Sequence, residues 1–430
     1  MSTQQPWSAR PSRRSVLRGA AALSASVAAA PFVRAHPLRD KLKLACIGAA
    51  NRGASNIAGV LSQDVAVLCD VDDAMLARGV AQVEKAGQPK PKTYVDWRDL
   101  LEKEKDLAGI VISTPDHLHA TIARAAMRKG LAVYCEKPLT RTVAEARELR
   151  ALAESSGVVT QMGTQIHATN NYRRVVEAIR SGAIGDVHTV HVICSKSWSG
   201  GRYTETKPAP KGLAWDLWLG PTAEREYCDG LHPASWRRFW AYGGGTVGDM
   251  ACHWVDLVHW ALELGTPNAI EVEGPEVHVD GTPKWMHVRW GHPAIENRGA
   301  VDVHWWDGGK KPEFAPKNDC HVFLGTRGRI ISTYGSIEVQ LTDKNEKWTP
   351  PEQSIENSPG HYVEWIRAIE DGKPKAPLCS FDYSSLLTET VLLSNVAFRA
   401  GGKITWDAAT GTPSSGAEFV SSEVRDNWDV

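Results

Sequence analysis

Leu42-Lys43-Leu44-Ala45-Cys46-Ile47-Gly48-Ala49-Ala50-Asn51-Arg52-Gly53 runs from a short apolar segment straight into a glycine-rich turn. The apolar half has the look of a strand buried on both faces. A helical pattern follows from Ala54 to Leu61. Strand, glycine turn and helix N-terminus together make an anion site, because free backbone N–H groups and the helix dipole converge on a pyrophosphate. Ala50 stands where the G-x-G-x-x-G pattern has its second glycine, so the backbone approaches the phosphate less closely. Gly48, Ala50, Asn51, Arg52 and Gly53 are candidate cofactor contacts.

A second apolar run, Val65 to Cys69, ends in Asp70, 22 residues beyond Gly48. An acidic residue there is expected to hold the ribose hydroxyls of NAD, and its charge disfavours the 2′-phosphate of NADP. Asp72 is the weaker candidate, since it lies beyond the strand end, and a helix N-cap is the structural alternative for Asp70. Further strand–helix units begin at Ala108 and Ala132, and Val158 to Met162 reads as a last strand. The pattern predicts a doubly wound parallel sheet, a Rossmann domain over residues 41–165, with its ligand at the C-terminal strand ends.

Outward from that domain, composition excludes several classes. Of 430 residues 42% are hydrophobic and 23% charged, which rules out a disordered or fibrous chain. Lys+Arg number 49 and Asp+Glu 50, so no basic excess marks a nucleic-acid partner. No apolar run is long enough for an integral membrane span. Arg13-Arg14 precedes an Ala-rich run from Gly19 to Val33 and a small-residue site near Ala35. That layout fits a twin-arginine signal peptide over residues 1–35, hence a periplasmic or secreted protein. The eight cysteines form no CxxC pair or zinc spacing, and buried free thiols are expected.

Beyond residue 166 the pattern changes. A helix is expected over Asn171 to Ser181 and another from Asp249 to about Leu264, with closing helices at 360–371 and 383–399. Strand-like runs recur at 187–194, 269–273, 285–290, 300–306, 320–325, 329–334 and 337–341. They predict an α+β second domain over residues 166–430 with a large, mostly antiparallel sheet, α/β overall. Seventeen Trp against 7 Phe, fifteen of them at or beyond Trp198, set this half apart. Trp198, Trp215, Trp236 or Trp240 could stack on a sugar, although most large aromatics are core. Apolar groups in Val301 to Trp306 and His321 to Leu324 call for a second copy over the sheet, giving a homodimer or homotetramer.

Three further motifs carry a resemblance: Thr114-Pro115 with His119, Glu136-Lys137-Pro138, and Gly243-Gly244-Gly245-Thr246-Val247-Gly248-Asp249-Met250-Ala251-Cys252-His253. With the glycine turn, they make the chain resemble the glucose–fructose oxidoreductase/inositol dehydrogenase (Gfo/Idh/MocA) family, in an exported, Trp-rich branch. The resemblance implies hydride exchange between a nicotinamide cofactor and a sugar or polyol carbon, and export, where free NAD is scarce, leads to the expectation of a tightly held NAD. Lys137, Asp249 and His253 match the family's catalytic groups. Thr114, Pro115, His119, Glu136 and also Lys137 match cofactor contacts, and Trp236 with Arg237 are substrate candidates. Asp249 and His253, four apart on a helix, project from one face, where a carboxylate can orient the imidazole as general base. Lys137 would stabilise alkoxide charge. Asp256 and His259 continue that face, but no metal is required or expected. Two alternatives stand beside the dehydrogenase: an NAD-dependent glycosidase using transient oxidation and elimination, and a non-catalytic sugar-binding protein.

Overall fold

The computed structural model describes residues 41–428, so the twin-arginine leader lies outside the described residues. The first unit alternates β1 (Lys43–Ile47), α1 (Arg52–Val60), β2 (Asp64–Cys69), α2 (Asp73–Lys85), β3 (Lys92–Tyr94), α3 (Trp97–Lys103), β4 (Gly109–Ile112), α4 (Asp116–Arg128), β5 (Ala132–Cys135), α5 (Val143–Ser156) and β6 (Thr160–Met162). The strands form a six-stranded sheet in the order β3-β2-β1-β4-β5-β6, with every pair parallel. Leu44, Ala45, Cys46 and Ile47 are buried on both faces, as the unbroken apolar run requires. The chain changes direction across the sheet between β1 and β4, which opens a crevice at their C-terminal ends.

The second unit contains α6 (Asn170–Arg180), β7 (Val187–Ile193), α7 (Trp215–Leu219), α8 (Gly245–Leu262), β8 (Ala269–Glu273), β9 (His287–His292), β10 (Val301–Trp306), β11 (Cys320–Gly325), β12 (Gly328–Ser332), β13 (Ile337–Leu341), α9 (His361–Glu370), α10 (Phe381–Arg399), β14 (Lys403–Asp407) and β15 (Thr412–Pro413). Its nine-stranded sheet runs β13-β12-β11-β7-β10-β9-β8-β14-β15. It is antiparallel apart from the β7–β10 pair. β14 adds a strand beyond those the sequence pattern predicts, because its alternating Lys-Ile-Thr-Trp-Asp is short and follows a helix at once.

Strand alternation shelters much of what the sequence left uncovered. Val301, Val303 and Trp305 of β10 and Phe323 of β11 turn into the main core beside α6, α8 and α10. The outer face keeps a smaller apolar cluster, Ile193, Cys320 and Val322 with Trp306, Leu324 and Ile331 at its margin. Helix α9 crosses back: Trp365, Ile366 and Ala368 pack into the core beneath β1, β2 and β4. All eight cysteines are buried and free.

Helix α10 contacts α5, α8, β6 and β8, so it joins the two sheets. Leu393, fully buried on α10, contributes to that shared core. Leu393→Ala is expected to lower stability by about 2–5 kcal/mol. Urea unfolding followed by Trp fluorescence and by far-UV dichroism should still coincide in one transition, whereas two separated transitions would show that α10 does not couple the units.

Candidate active site

A cavity of about 330 Å³ opens at the C-terminal strand ends of the first sheet and runs to the N-terminal half of α8. Its near wall is the glycine turn. Gly48 has φ +88°, and a Cβ there would lie 2.6 Å from the Ser113 carbonyl oxygen. At Gly53 a Cβ would lie 2.1 Å from the Gly48 carbonyl, so this glycine serves helix–strand packing behind the turn and does not line the cavity. Ala50, Asn51 and Arg52 do line it. Asn51, at φ 52°, makes no side-chain cap; the Gly53 N–H is taken by the Ala50 carbonyl at 2.8 Å, and the other first-turn N–H groups of α1 are left uncapped for an anion.

Asp70 sits at the end of β2 and lines the same wall. Its Oδ2 accepts from the Ala49 N–H at 2.8 Å and its Oδ1 from the Asp72 N–H at 3.1 Å. Burial raises its pKa, and these two backbone bonds oppose the shift. Asp72, and not Asp70, caps α2, accepting from the N–H groups of Ala74 and Met75. A dinucleotide fits this wall: uncapped helix N–H groups for the pyrophosphate, then a carboxylate for a ribose.

The far wall gathers charge. Glu136, at the end of β5, accepts at Oε1 from Arg52 Nε (2.9 Å), Asn56 Nδ2 (3.0 Å) and Gln165 Nε2 (2.8 Å). Next to it, Lys137 Nζ donates to Asp249 Oδ1 at 2.7 Å and to the Asp249 carbonyl at 2.8 Å. Arg237 Nε donates to the same Oδ1 at 2.8 Å, while its guanidinium stacks 4.1 Å from the Trp236 ring centroid. Burial alone would raise the Asp249 pKa, but the charges and hydrogen bonds of Lys137 and Arg237 outweigh it and hold the carboxylate well below its usual range. His253 also lines the cavity, and its buried Nδ1 has no hydrogen-bond partner among the described residues. Burial, and then the Lys137 charge, push the His253 pKa well below 6.5, so the imidazole is neutral at physiological pH.

Three sequence expectations need correction. Helix α8 begins at Gly245 and not at Asp249, because a Gly245 φ of +65° and a Cβ only 2.7 Å from Thr282 make the glycines part of the helix entry. Asp249 does not orient His253: a buried carboxylate flanked by two full cations turns to them and not to a neutral ring. His119 does not reach the cavity. Its ring is buried, with Nδ1 2.8 Å from the Pro138 carbonyl and Nε2 2.9 Å from the Thr114 carbonyl, so it braces Thr114 against the loop carrying Lys137. Thr114 and Pro115 do line the cavity.

Of the four Trp candidates, only Trp236 lines it. Trp218 does so as well, with Trp215 stacked behind it at 4.6 Å. They belong to a segment that folds back over the first sheet. The Asp73 N–H donates to the Gly212 carbonyl at 2.9 Å, the Ala214 N–H to the Val71 carbonyl at 2.8 Å, and His232 Nε2 lies 2.8 Å from Asp72 Oδ2. Asp256 turns away from the cavity to His167 (3.0 Å) and Tyr383 (2.7 Å), and His259 packs near His292. Sequence reading missed Asp116. As the first residue of α4 it looks like an ordinary helix-start acid, yet it is 3% exposed and lines the cavity. Burial, with the Asp249 charge adding, pushes its pKa to about 8 against the pull of Arg237.

Two family models match the chain: an oxidoreductase family with an NAD-binding Rossmann fold over residues 42–164, and an oxidoreductase-family C-terminal alpha/beta domain over residues 174–357. A glycosyl hydrolase family 109 protein of Stenotrophomonas maltophilia is 32% identical over 184 residues, 41% of this chain and 40% of that protein. A levoglucosan dehydrogenase of Pseudarthrobacter phenanthrenivorans is 27% identical over 177 residues, 41% of this chain and 38% of that protein. The chain thus spans about two fifths of the length of these curated relatives. A dehydrogenase from Bordetella pertussis, solved with NADH and UDP-GlcNAcA, superposes with a TM-score of 0.61 at 16% identity, covering 86% of this chain and 98% of that one. At that identity the likeness speaks for the fold.

The raised Asp116 pKa makes a stability prediction with a definite sign. Unfolded, the group titrates near ~4; folded, it keeps its proton to about pH 8. Between these values the folded chain holds one proton more than the unfolded chain, so stability falls as pH rises from about 4 to about 8, and above that the loss is complete. Asp116→Asn removes that loss. In urea melts of the cofactor-free chain, the variant should gain on the wild type between pH 6 and pH 9; a difference independent of pH would show that Asp116 titrates normally.

Proposed function

This chain belongs to the Gfo/Idh/MocA oxidoreductase family, and we propose that it is an exported enzyme moving hydride between NAD and a ring hydroxyl or ketone of a sugar, glycoside or polyol. One observation carries this reading: the cofactor turn at Gly48, Ala50 and Asn51 and the set Lys137, Asp249 and His253 line a single cavity. NAD, when bound, supplies the hydride acceptor. The turn would hold its pyrophosphate and Asp70 its ribose, whose hydroxyls suit that carboxylate better than the 2′-phosphate of NADP. Thr114, Pro115 and Glu136 border the nicotinamide end.

Neutral His253 takes the proton of the substrate hydroxyl at a ring nitrogen. Two of the three Lys137 N–H groups are engaged by Asp249, which leaves the third for the substrate oxygen as negative charge develops there. With Asp116 protonated, Lys137, Arg237 and Asp249 leave one net positive charge facing that oxygen. The segment anchored by His232 and Asp72 closes over the nucleotide end, which favours slow release and a tightly held cofactor recycled by a second substrate. The Arg13-Arg14 leader supports export in the folded, loaded state.

Asp116 lends support to a second reading, redox-neutral glycoside cleavage. That route oxidises a ring carbon, removes the neighbouring proton, expels the aglycone, adds water and reduces again, so it needs a second group able to give up a proton near neutral pH. Similarity to family 109 glycosyl hydrolases points the same way. Release of a chromophore from aryl glycosides without net NADH would select this reading, and oxidation of free sugars with net NADH the first.

Mass spectrometry of native protein is expected to find retained NAD(H); a chain unable to take up NAD would sink both readings. Lys137→Ala and His253→Ala should each lower turnover by about 100- to 10,000-fold with NAD still bound. Unchanged turnover would remove their catalytic roles, and a chain that turns over no saccharide would leave only sugar binding. The outer face of the large sheet, with Trp306, Leu324 and Ile331 half-buried, supports a homodimer or homotetramer. Light scattering should give at least twice the 47.0 kDa chain mass less any leader; a monomer mass refutes it.

A further inference from the structure

A second cavity, of about 340 Å³, lies between α10, the loop following Lys137 and the C-terminal segment at Ser422. Arg141 and Arg399 both line it. Arg399 is clamped between Trp240 and Phe419, 5.4 and 4.0 Å from their ring centroids, and among the described residues its guanidinium has no hydrogen bond or ion pair. Arg141 gives one N–H to the Ser422 hydroxyl, and its Nε is buried without an acceptor. Burial, and then the Arg141 charge, oppose the charged form of Arg399. Among the described residues Glu418 is the one carboxylate on this wall; it sits at the exposed rim, and its charge favours the charged form of Arg399 less than burial and Arg141 oppose it. Partly buried guanidinium N–H groups without acceptors are costly, and a bidentate oxyanion is the partner that fits them. Beside them Asn395 donates through Nδ2 to the Gly244 carbonyl at 3.2 Å, while its Oδ1 is buried with no donor.

We propose that this cavity binds the carboxylate or sulfate group of an acidic saccharide, with the oxyanion bridging Arg141 and Arg399 and a ring hydroxyl donating to Asn395 Oδ1. The two guanidiniums supply donors for the charge, and the unpaired amide oxygen supplies an acceptor for the sugar. Gly243, which lines this cavity, packs directly against Arg237 and Trp236, which line the catalytic one: a Cβ on Gly243 would lie 2.9 Å from Arg237 Cα and 3.1 Å from the Trp236 ring. The same oxyanion chemistry therefore serves either the charged end of a substrate that reaches past Gly243 or a separate acidic ligand.

Calorimetric titration of the full chain with glucuronate, against glucose at matched ionic strength, tests the site without depending on turnover. Glucuronate is expected to bind more tightly than glucose. Arg399→Gln and Arg141→Gln should each weaken glucuronate binding at least about tenfold, and Arg399→Lys should weaken it less. NADH binding, read by its fluorescence, should persist in all three and so report an intact fold. Equal binding of the two sugars by wild type, or a preference that survives in both Gln variants, overturns the proposal. Arg237→Gln, on the far side of the Gly243 wall, tells the two sources apart. Lost glucuronate affinity there means a ligand spanning both cavities, and retained affinity means a self-contained site; the proposal stands in either case.

Discussion

A carboxylate cannot stay ionised in a protein interior without partners, and Asp249 meets that constraint by drawing three segments together. Lys137 comes from the end of β5, Arg237 from the loop ahead of α8, and Asp249 from α8 itself. The side chains of Lys137 and Asp249 are each only 10% exposed, so neither charge is cheaply carried alone. Removing one partner from such a pair leaves an uncompensated charge, at a cost of about 3–5 kcal/mol. The contact that seats α8 against the first sheet is thus also the contact that assembles the charged end of the cavity.

The remaining polar groups are arranged around that pair. Glu136 is held by Arg52, Asn56 and Gln165, and Asn56 is itself held by the Tyr362 hydroxyl at 2.7 Å from α9. Two carboxyl groups in one cavity are driven apart by their surroundings. Asp249, beside two cations, stays ionised, while Asp116, buried and reached by Arg237 and Lys137 only at a distance, keeps its proton to about pH 8. Such a split between neighbouring carboxyls gives a site one group that stays charged and one that can donate. His253 is kept neutral by the same burial and the same lysine. The electrostatics of the cavity are one coupled arrangement, in which each state depends on its neighbours.

Around the site, second-unit segments complete what the first sheet begins. His232 on Asp72 closes the nucleotide end, and Trp218 and Trp236 supply apolar wall. The Gly243 turn separates this cavity from the arginine-lined one behind it. Here the aromatic excess finds uses beyond sugar stacking: Trp240 clamps Arg399, and Trp236 carries Arg237.

Local chemistry was enough to read the parallel sheet, the glycine turn and Asp70 at its strand end, whereas the approach of Lys137, Asp249, His253, Trp236 and Arg237 to one cavity was implied by the family resemblance. Strand runs, a glycine turn and an i, i+4 pair are periodicities of the backbone, and a backbone repeats them wherever its sequence does. The tertiary structure alone decided which partner each polar group takes. It turned Asp249 from His253 to two cations, drew His119 out of the cavity into a brace, brought Asp116 in, and set Arg141 opposite Arg399. Those outcomes depend on burial and on charges many residues away in the chain, and neither quantity is a property of any window of sequence.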